Sequence, residues 1–548
     1  MKRFLTLFLA ILMVLSMAPA AEATVDHPEF VPYDETVVVR CGQYVDPTAP
    51  FPDGQTYEDN YIIDMIKRVL NVQLDTIWYV AETNRDEKMN LAIASNDLPD
   101  VMLVNPTQFL AMCKADQLAD LTDAYNELMM PHLKKIFEMN DSAALKAASY
   151  GGKILGIPAV TTSGDGYHTL WIRKDWLDKL NLEVPKTVDD IEKVAKAFVD
   201  AKLGGENTVG LASPAFGGKL YANFLESTNN IYGFDAIFSA MGAYPGYWIK
   251  DKEGKAVYGS TTPETRAALE RLAEMYKNGV LDPEIGVRKE NAELIVSGQC
   301  GMFFGTWWMP MYPLQDAVRI NPEANWQCYT VPLNDEGKWT PHLGSPTREF
   351  LVVRKGYEHP EVAVKLENLY YVHEEYGEYE ELDKFPNTYY PLCVVLSQPD
   401  ECQFNGAFLR DYLNGEKTID DFDHSQYNVL YDCIQKIYLS KKKPYDKYDI
   451  QYWDVNADGW SRGYATLVGS LPLVEAEPIT EAVTSITYAM TNTMQKRWTN
   501  LQKLEDETFL KIVVGTAPIE AFDDFVAKWE KEGGSKITEE VNEIVNAE

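Results

Sequence analysis

The sequence predicts an α/β protein built from two lobes. Its 548 residues exceed the roughly 250–300 residues at which a single hydrophobic core stops growing. Helix-like and strand-like apolar patterns alternate from residue 35 onward, which is typical of a doubly wound α/β lobe. A second alternating series begins after the glycine-flanked strand pattern at residues 151–158, so two such lobes are expected.

The N-terminus has the pattern of a secretory signal peptide. Lys2 and Arg3 precede an apolar run at residues 4–17, and small residues follow up to Ala23. Residues 1–23 are therefore expected to be removed on export. No later segment approaches the roughly 20 apolar residues needed to cross a bilayer, so we expect a mature chain without a membrane domain.

The strongly acidic composition argues against one class of partner. The formal net charge is −33, which repels polyanions, so nucleic acid is not an expected ligand. The same charge is common in abundant exported proteins, where it maintains solubility, and it does not by itself indicate a cationic ligand.

The first lobe begins with a strand at residues 35–40, followed by a helix at 57–70, a strand at 72–80, a helix at 86–94 and a strand at 101–104. This order predicts a parallel sheet. Ligands bind outside the carboxyl ends of the strands in such sheets, which makes candidates of the polar residues there. These residues are Gln43, Tyr44, Asn105 and Gln108, and each of them alone is equally well explained as a solvated loop residue.

The second lobe is predicted to begin beyond the polar loop at residues 161–166, which we interpret as a hinge crossing. A strand at 169–173 and two helices follow, the second covering 188–201 with Thr187 as its N-cap. The next elements are a hairpin at 247–258, a helix that starts at Thr262-Pro263, and a helix-to-strand passage at 292–304. Gly305, Thr306, Trp307 and Trp308 then open a loop.

Motifs of the common hydrolases and nucleotide-binding proteins do not occur in the chain. It contains no His-Glu-x-x-His, Gly-x-Ser-x-Gly, Gly-x-Gly-x-x-Gly or phosphate-loop pattern. Its seven histidines and seven cysteines show no metal-ligand spacing, so neither a metal nor another cofactor is expected, although Cys393 and Cys402 are close enough in sequence for one disulfide. A pair of carboxylates suited to glycoside hydrolysis remains open among the 83 acidic residues.

Several sequence segments resemble those of the extracellular solute-binding proteins of family 1, especially the large LipO-like branch. The resemblance extends over nearly the whole mature chain, and it rests on residues 97–101 (DLPDV), 172–180 (IRKDWLDKL), 184–187 (VPKT), 258–264 (YGSTTPE), 297–308 (SGQCGMFFGTWW) and 515–519 (GTAPI).

The resemblance implies a periplasmic-binding-protein-like fold of type II, in which two discontinuous lobes close on a ligand about a hinge. The N-terminal lobe is expected at residues 24–160, completed by roughly 340–385, and the C-terminal lobe at 161–339, completed by roughly 386–510. A helical segment would occupy residues 511–548. The resemblance also implies an ABC permease as partner, and we expect a monomer. Relatives carry a lipid-modified cysteine directly after the signal, whereas the first cysteine here is Cys41, so a lipid anchor is not expected.

A sugar site combines flat aromatic rings with planar polar side chains, and the chain offers both. Of Trp307 and Trp308 we expect one, preferably Trp307, to face the cleft, because adjacent side chains diverge. Asp165, Tyr167 and His168 lie beside the predicted hinge crossing. Arg348 could hold ligand oxygens by a bidentate contact, although a salt bridge to Glu349 is the commoner use of such an arginine.

These features predict the extracellular component of an ABC importer that captures a neutral solute, a carbohydrate or oligosaccharide, by hinge closure. We expect no catalytic residues. Two alternatives stay open on the same fold, namely a secreted glycoside-active enzyme and a surface sensory or adhesive receptor.

Overall fold

The structure, a computed structural model, describes residues 27–45, 51, 54–81, 84–214, 219–225, 230–376, 390–424, 427–436, 445–457 and 459–545. The predicted signal peptide lies outside these residues.

Short strands recur along the described chain. Those predicted at residues 101–104 and 169–173 have the predicted bounds, because each contains an apolar run between clear turn or helix signals. The strands are β1 (Val37–Val45), β2 (Val72–Ala81), β3 (Val101–Val104), β4 (Ser149–Tyr150), β5 (Lys153–Ile154), β6 (Ile157–Pro158), β7 (Thr169–Arg173), β8 (Val209–Leu211), β9 (Trp248–Lys250), β10 (Ala256–Tyr258), β11 (Cys300–Gly305), β12 (Trp326–Tyr329) and β13 (Phe350–Val353).

Helices connect and cover these strands. They are α1 (Tyr61–Leu70), α2 (Arg85–Ser95), α3 (Pro106–Lys114), α4 (Thr122–Leu128), α5 (Pro131–Ala147), α6 (Lys174–Leu180), α7 (Val188–Asp200), α8 (Asp235–Ala240), α9 (Pro263–Lys277), α10 (Ala292–Val296), α11 (Leu314–Ile320), α12 (Val362–Tyr370), α13 (Val372–Tyr376), α14 (Glu401–Asn414), α15 (Asn428–Gln435), α16 (Trp460–Tyr464), α17 (Leu471–Ala476), α18 (Met494–Val513), α19 (Ala521–Trp529) and α20 (Ser535–Val545). Segments of π-helix join α16 to α17 and α19 to α20.

The first lobe contains a parallel pair, β1 and β2, beside a three-stranded sheet of order β3-β13-β6. The prediction of a parallel sheet was wrong for the three-stranded sheet, since β13 runs antiparallel to both β3 and β6. Strand β13 joins this sheet although strands β7 to β12 of the second lobe separate it in the sequence from β3 and β6. Local sequence patterns do not reveal such a long-range pairing.

Local sequence signals fix several helix ends. Asn60 accepts hydrogen bonds from the backbone of Ile62 and Ile63, which caps the start of α1. Thr187 and Asp190 form the reciprocal capping box that opens α7, and the predicted start at residue 188 therefore agrees with the structure.

The second lobe is built on a four-stranded sheet of order β12-β7-β11-β8. The central strands β7 and β11 are buried along their whole length, which suits the apolar residues 170–172 of β7 and 302–304 of β11. Helices α18, α19 and α20 pack on the same core, where Trp498, Phe509 and Trp529 join Leu170 and Trp248.

Each lobe draws on separate stretches of the chain. One large core combines residues between 30 and 160 with residues between 351 and 396, and another combines residues between 170 and 331 with residues between 494 and 541. In the described chain the lobes are joined three times, after residues 160, 331 and 396. The passages after 160 and 396, here called the first and second crossings, lie side by side where Val160 and Leu396 pair in a parallel bridge. These adjacent crossings form the base of the cleft between the lobes.

Two further observations concern the chain as a whole. All seven cysteines are buried, and Cys393 and Cys402 do not form the disulfide that their spacing allowed. Among the described residues, no helix is both long and apolar enough to traverse a bilayer.

Candidate functional site

A large cavity lies between the two lobes. Its volume is about 1220 Å³. The first lobe contributes residues of α3 and α5, the crossing contributes residues 160–167, and the second lobe contributes residues 343–348 and 484–490. The cavity exceeds the roughly 300–1,000 Å³ of a site for one drug-sized molecule, so it has room for a ligand of several rings.

Aromatic side chains form one part of the cavity wall. The rings of Tyr167 and Trp339 contact each other at a centroid separation of 5.0 Å and an angle of 44°. Tyr488 and Phe224 also line the cavity. Tyr488 is held in place because its hydroxyl donates to the backbone oxygen of Leu343 at 2.8 Å. Such fixed rings can pack against the apolar C–H faces of a sugar.

Asp165 and Arg348 supply opposite charges to the cavity wall. The indole Nε1 of Trp307 donates to Asp165 Oδ1 at 2.9 Å and so fixes the carboxylate. Burial raises the pKa of Asp165, while the bond from Trp307 and the charge of Arg348 act in the opposite direction. Arg348 is exposed to the cavity, and Glu349 pairs with Arg85 instead of with Arg348. The guanidinium of Arg348 makes no hydrogen bond or ion pair to the side chains that the structure describes.

Two more acceptor groups lie on the wall near the second crossing. Asp400 Oδ1 and Gln403 Oε1 are buried oxygen atoms without a hydrogen-bond partner in the described part of the chain. Burial raises the pKa of Asp400. Both oxygens are closed to solvent in this conformation, so a ligand hydroxyl could donate to either one only after the side chain turns toward the cavity.

The first lobe contributes an irregular turn to the cavity wall. Helix α5 is interrupted at Met139–Ser142, where Asn140, Asp141 and Ser142 have positive φ angles of 51°, 55° and 55°. Met139 and Asn140 line the cavity at this interruption. Left-handed backbone in consecutive residues other than glycine costs free energy, and it is found most often at functional sites.

Four of the ten residues proposed from the sequence lie on the cavity wall, and the structure thus brings them together: Asn105, Asp165, Tyr167 and Arg348. Asn105 also begins α3, where its side chain accepts from the Gln108 backbone and donates to Asp86 at 2.9 Å. Both of its polar ends are therefore already engaged.

Three other proposed residues belong to the first lobe and are not among the described residues that line the cavity. Gln43 is buried in β1 with 5% exposure. Tyr44 donates to the Leu103 backbone oxygen at 3.4 Å, and the Arg85 guanidinium lies over its ring. Gln108 completes the capping box of α3. These residues were proposed because they follow the carboxyl ends of strands. Their polar groups are instead used in local structural contacts.

The remaining three proposed residues lie behind the wall rather than on it. Trp307 packs in a small cluster with Trp339 and Cys402 and reaches the site only through its bond to Asp165. Trp308 packs against the buried cluster around β11 and β12. His168 is buried and faces Asp235 at 3.8 Å.

Sequence reasoning missed Trp339, Tyr488, Asp400 and Gln403. Trp339 reaches the cavity through a bridge to Thr480, a pairing between positions that are 141 residues apart. No local periodicity signals such a contact. Asp400 and Gln403 lie at the start of α14, directly after the second crossing. If both crossings had been expected to line the cavity, these two residues would have been among the candidates.

The comparison with protein families agrees with this architecture. Residues 76–371 match the family described as bacterial extracellular solute-binding protein. The chain belongs to this family. Members of the family are binding proteins. The predicted family and the predicted two-lobed solute-binding fold are both confirmed.

Two relatives in Bacillus subtilis (strain 168) match this solute-binding protein over most of their length. The chain is 25% identical over 503 residues to the polygalacturonan/rhamnogalacturonan-binding protein YtcQ, which covers 88% of this chain and 87% of that protein. It is 22% identical over 484 residues to the lipoprotein LipO, with 85% of each chain covered.

Solved structures share the fold of this solute-binding protein. A solute-binding protein of Bifidobacterium longum infantis, described as HMO-binding, superposes with a TM-score of 0.59 at 13% identity, covering 94% of this chain and 99% of that one. The alginate-binding protein AlgQ2 gives a TM-score of 0.53 at 17% identity with the same coverage.

Proposed function

We propose that this solute-binding protein captures a neutral oligosaccharide in the cavity between its lobes and delivers it unchanged to an ABC permease. The observation that carries the proposal is the cavity itself, which combines aromatic rings, acceptor oxygens and the Arg348 guanidinium in a volume of about 1220 Å³. A hinge between the adjacent crossings at Val160 and Leu396 allows the lobes to enclose the ligand.

The charges of the wall favour a neutral ligand over a uronate. Four carboxylates line the cavity, namely Asp86, Asp165, Asp400 and Glu477, against the two cations Lys146 and Arg348. Lys146 is already paired with Asp141 at 2.6 Å. A chain of galacturonate units would bring many negative charges into this surplus of carboxylates, and the resulting repulsion costs affinity. The relative YtcQ is named for acidic pectic polymers, so the two proteins are expected to differ in ligand.

Capture without catalysis is part of the proposal. The aromatic wall and the acceptor oxygens of Asp400 and Gln403 suit the C–H faces and hydroxyls of intact rings, and Arg348 can hold a ring oxygen or hydroxyl in a fixed fork. We also propose that the mature protein acts outside the cell after removal of residues 1–23, without a lipid anchor on Cys41, which is buried in β1.

A ligand screen tests this function. Melting temperature is measured with neutral oligosaccharides of increasing length, with oligogalacturonates, with short peptides and with polyamines, because a ligand that binds only the folded state raises the melting temperature. Neutral oligosaccharides are expected to raise it more than single sugars do. Arg348→Ala should reduce the shift, while Arg40→Ala, at a partly exposed arginine that is not among the lining residues, should not.

The screen also separates the alternatives. Recovery of the sugar unchanged supports transport. Conversion of the sugar to shorter products would overturn capture without catalysis, and a shift with oligogalacturonates alone would overturn the proposed neutral ligand.

A further inference from the structure

A buried polar cluster lies directly behind the cavity wall. It consists of His168, Asp235 and His342, whose side chains are 4%, 1% and 5% exposed. Residue spacing did not predict this cluster, because the two histidines are 174 positions apart and follow no metal-binding spacing. The fold brings them together from three places in the chain: His168 directly precedes β7, Asp235 is the first residue of α8, and His342 lies between β12 and β13.

The three side chains have the separations of metal ligands. His342 Nε2 is 2.8 Å from Asp235 Oδ1, and His168 Nε2 is 3.8 Å from Asp235 Oδ2. One ligand atom of each residue lies within 4.8 Å of those of the other two. Ligand atoms around a tetrahedral zinc ion, at bond lengths near 2.1 Å, are about 3.3 Å apart, so small side-chain shifts would complete the coordination.

The surroundings of Asp235 hold its carboxylate in a fixed orientation. The backbone N–H of Ala222 donates to Oδ1 at 2.7 Å, and Asn230 Nδ2 donates to Oδ2 at 3.0 Å. Donors of this kind around a ligating carboxylate are typical of metal sites, where they orient the ligand and tune the ion.

The ring of His342 is held in position by its neighbours. It packs on Tyr247 at a centroid separation of 4.4 Å, and its Nε2 faces Asp235. Its Nδ1, on the other edge of the ring, has no hydrogen-bond partner among the described residues and points away from Asp235. Nε2 is therefore the nitrogen that His342 offers to an ion in the cluster.

We propose that His168, Asp235 and His342 bind one divalent first-row transition-metal ion, with zinc as the preferred occupant. Two imidazoles and one carboxylate suit zinc and its neighbours, whereas calcium and magnesium require oxygen ligands. The residues next to both histidines, Tyr167 and Leu343, line the cavity. The bound ion therefore fixes the wall against which the solute packs, and it stabilises the second lobe.

Metal binding is measured on the full mature chain, produced without a polyhistidine tag and treated with a chelator that is then removed. Zinc chloride is titrated by calorimetry, and bound zinc is counted by elemental mass spectrometry. The wild-type chain should bind one equivalent and gain melting temperature on binding, since the ion binds only the folded state. Asp235→Asn and His342→Gln should each lose the bound equivalent.

Controls separate coordination from folding and from surface binding. His359→Gln changes a half-buried histidine outside the cluster and should keep the full equivalent. Circular dichroism shows whether each variant is folded, and cobalt(II) supplies a visible spectrum that reports nitrogen and oxygen coordination in the wild-type chain. Less than a fifth of an equivalent in the wild-type chain, or equal zinc binding by folded Asp235→Asn, would overturn the proposal.

Discussion

Glu505 makes the stability of the second lobe depend on pH. It lies on α18 with 2% exposure, and it accepts hydrogen bonds from the hydroxyls of Tyr221 and Ser260. Burial raises the pKa of its carboxyl from the usual 4.5 to about 7, although the hydrogen bonds from both hydroxyls act against this shift. Glu505 is therefore protonated in the folded chain at pH values where the unfolded chain has lost the proton.

The sign and the size of the effect follow from this difference. Below pH 4.5 both states hold the proton and the stabilisation is fully present; it is lost as the pH rises through about 7. Each pKa unit corresponds to 1.36 kcal/mol, so a shift of about 2.5 units removes on the order of 3 kcal/mol of stability between pH 4.5 and pH 8.

The substitution Glu505→Gln tests this reasoning, because glutamine keeps an oxygen that can accept from Tyr221 and Ser260 but does not titrate. The free energy of unfolding is measured by urea titration from pH 4.5 to pH 8, with Glu507→Gln as the control on an exposed face of the same helix. The wild-type chain should lose about 3 kcal/mol relative to Glu505→Gln as the pH rises, and the control should follow the wild type. A constant difference between wild type and Glu505→Gln across this range would refute the raised pKa.

Three other substitutions probe the cavity and the residues behind it. Arg348→Ala removes charge-assisted hydrogen bonds worth about 1.5–3 kcal/mol. Calorimetry with the sugar found in the screen should therefore show a dissociation constant about 10- to 100-fold higher. An unchanged constant would show that Arg348 does not bind the sugar. Trp307→Phe deletes the donor to Asp165, so the pKa of that carboxyl should rise further and the change of sugar affinity with pH should move to higher pH; equal pH profiles would contradict this positioning role. Gly469→Ala places a methyl group 2.0 Å from the Trp307 backbone oxygen, so calorimetric melting should show a loss of about 1–3 kcal/mol, and an unchanged melting temperature would show that the close approach relaxes freely.

Local signals predicted much of the fold. Strands β3, β7 and β13 are short apolar runs with clear boundaries, and the capping residue Thr187 marks the start of α7. The antiparallel direction of β13 and the packing of α18 to α20 on the second lobe depend on distant contacts, and no local pattern encodes them.

The candidate site was predictable only in part, for the same physical reason. Asp165 and Tyr167 flank a crossing that the loop composition revealed, and both line the cavity. Gln108 was proposed from its place beyond a strand, but its side chain is used to cap α3. Trp339 and His342 reach their positions through bridges to residues 480 and 483, which sequence reasoning had no means to foresee.

The most direct test of the account is native mass spectrometry of the mature protein incubated with a mixture of neutral oligosaccharides. The account predicts a complex whose mass equals the protein plus one intact oligosaccharide, with that oligosaccharide recovered unchanged and the complex weakened in Arg348→Ala. Shortened sugars in the mixture, or no complex with any neutral oligosaccharide, would contradict it.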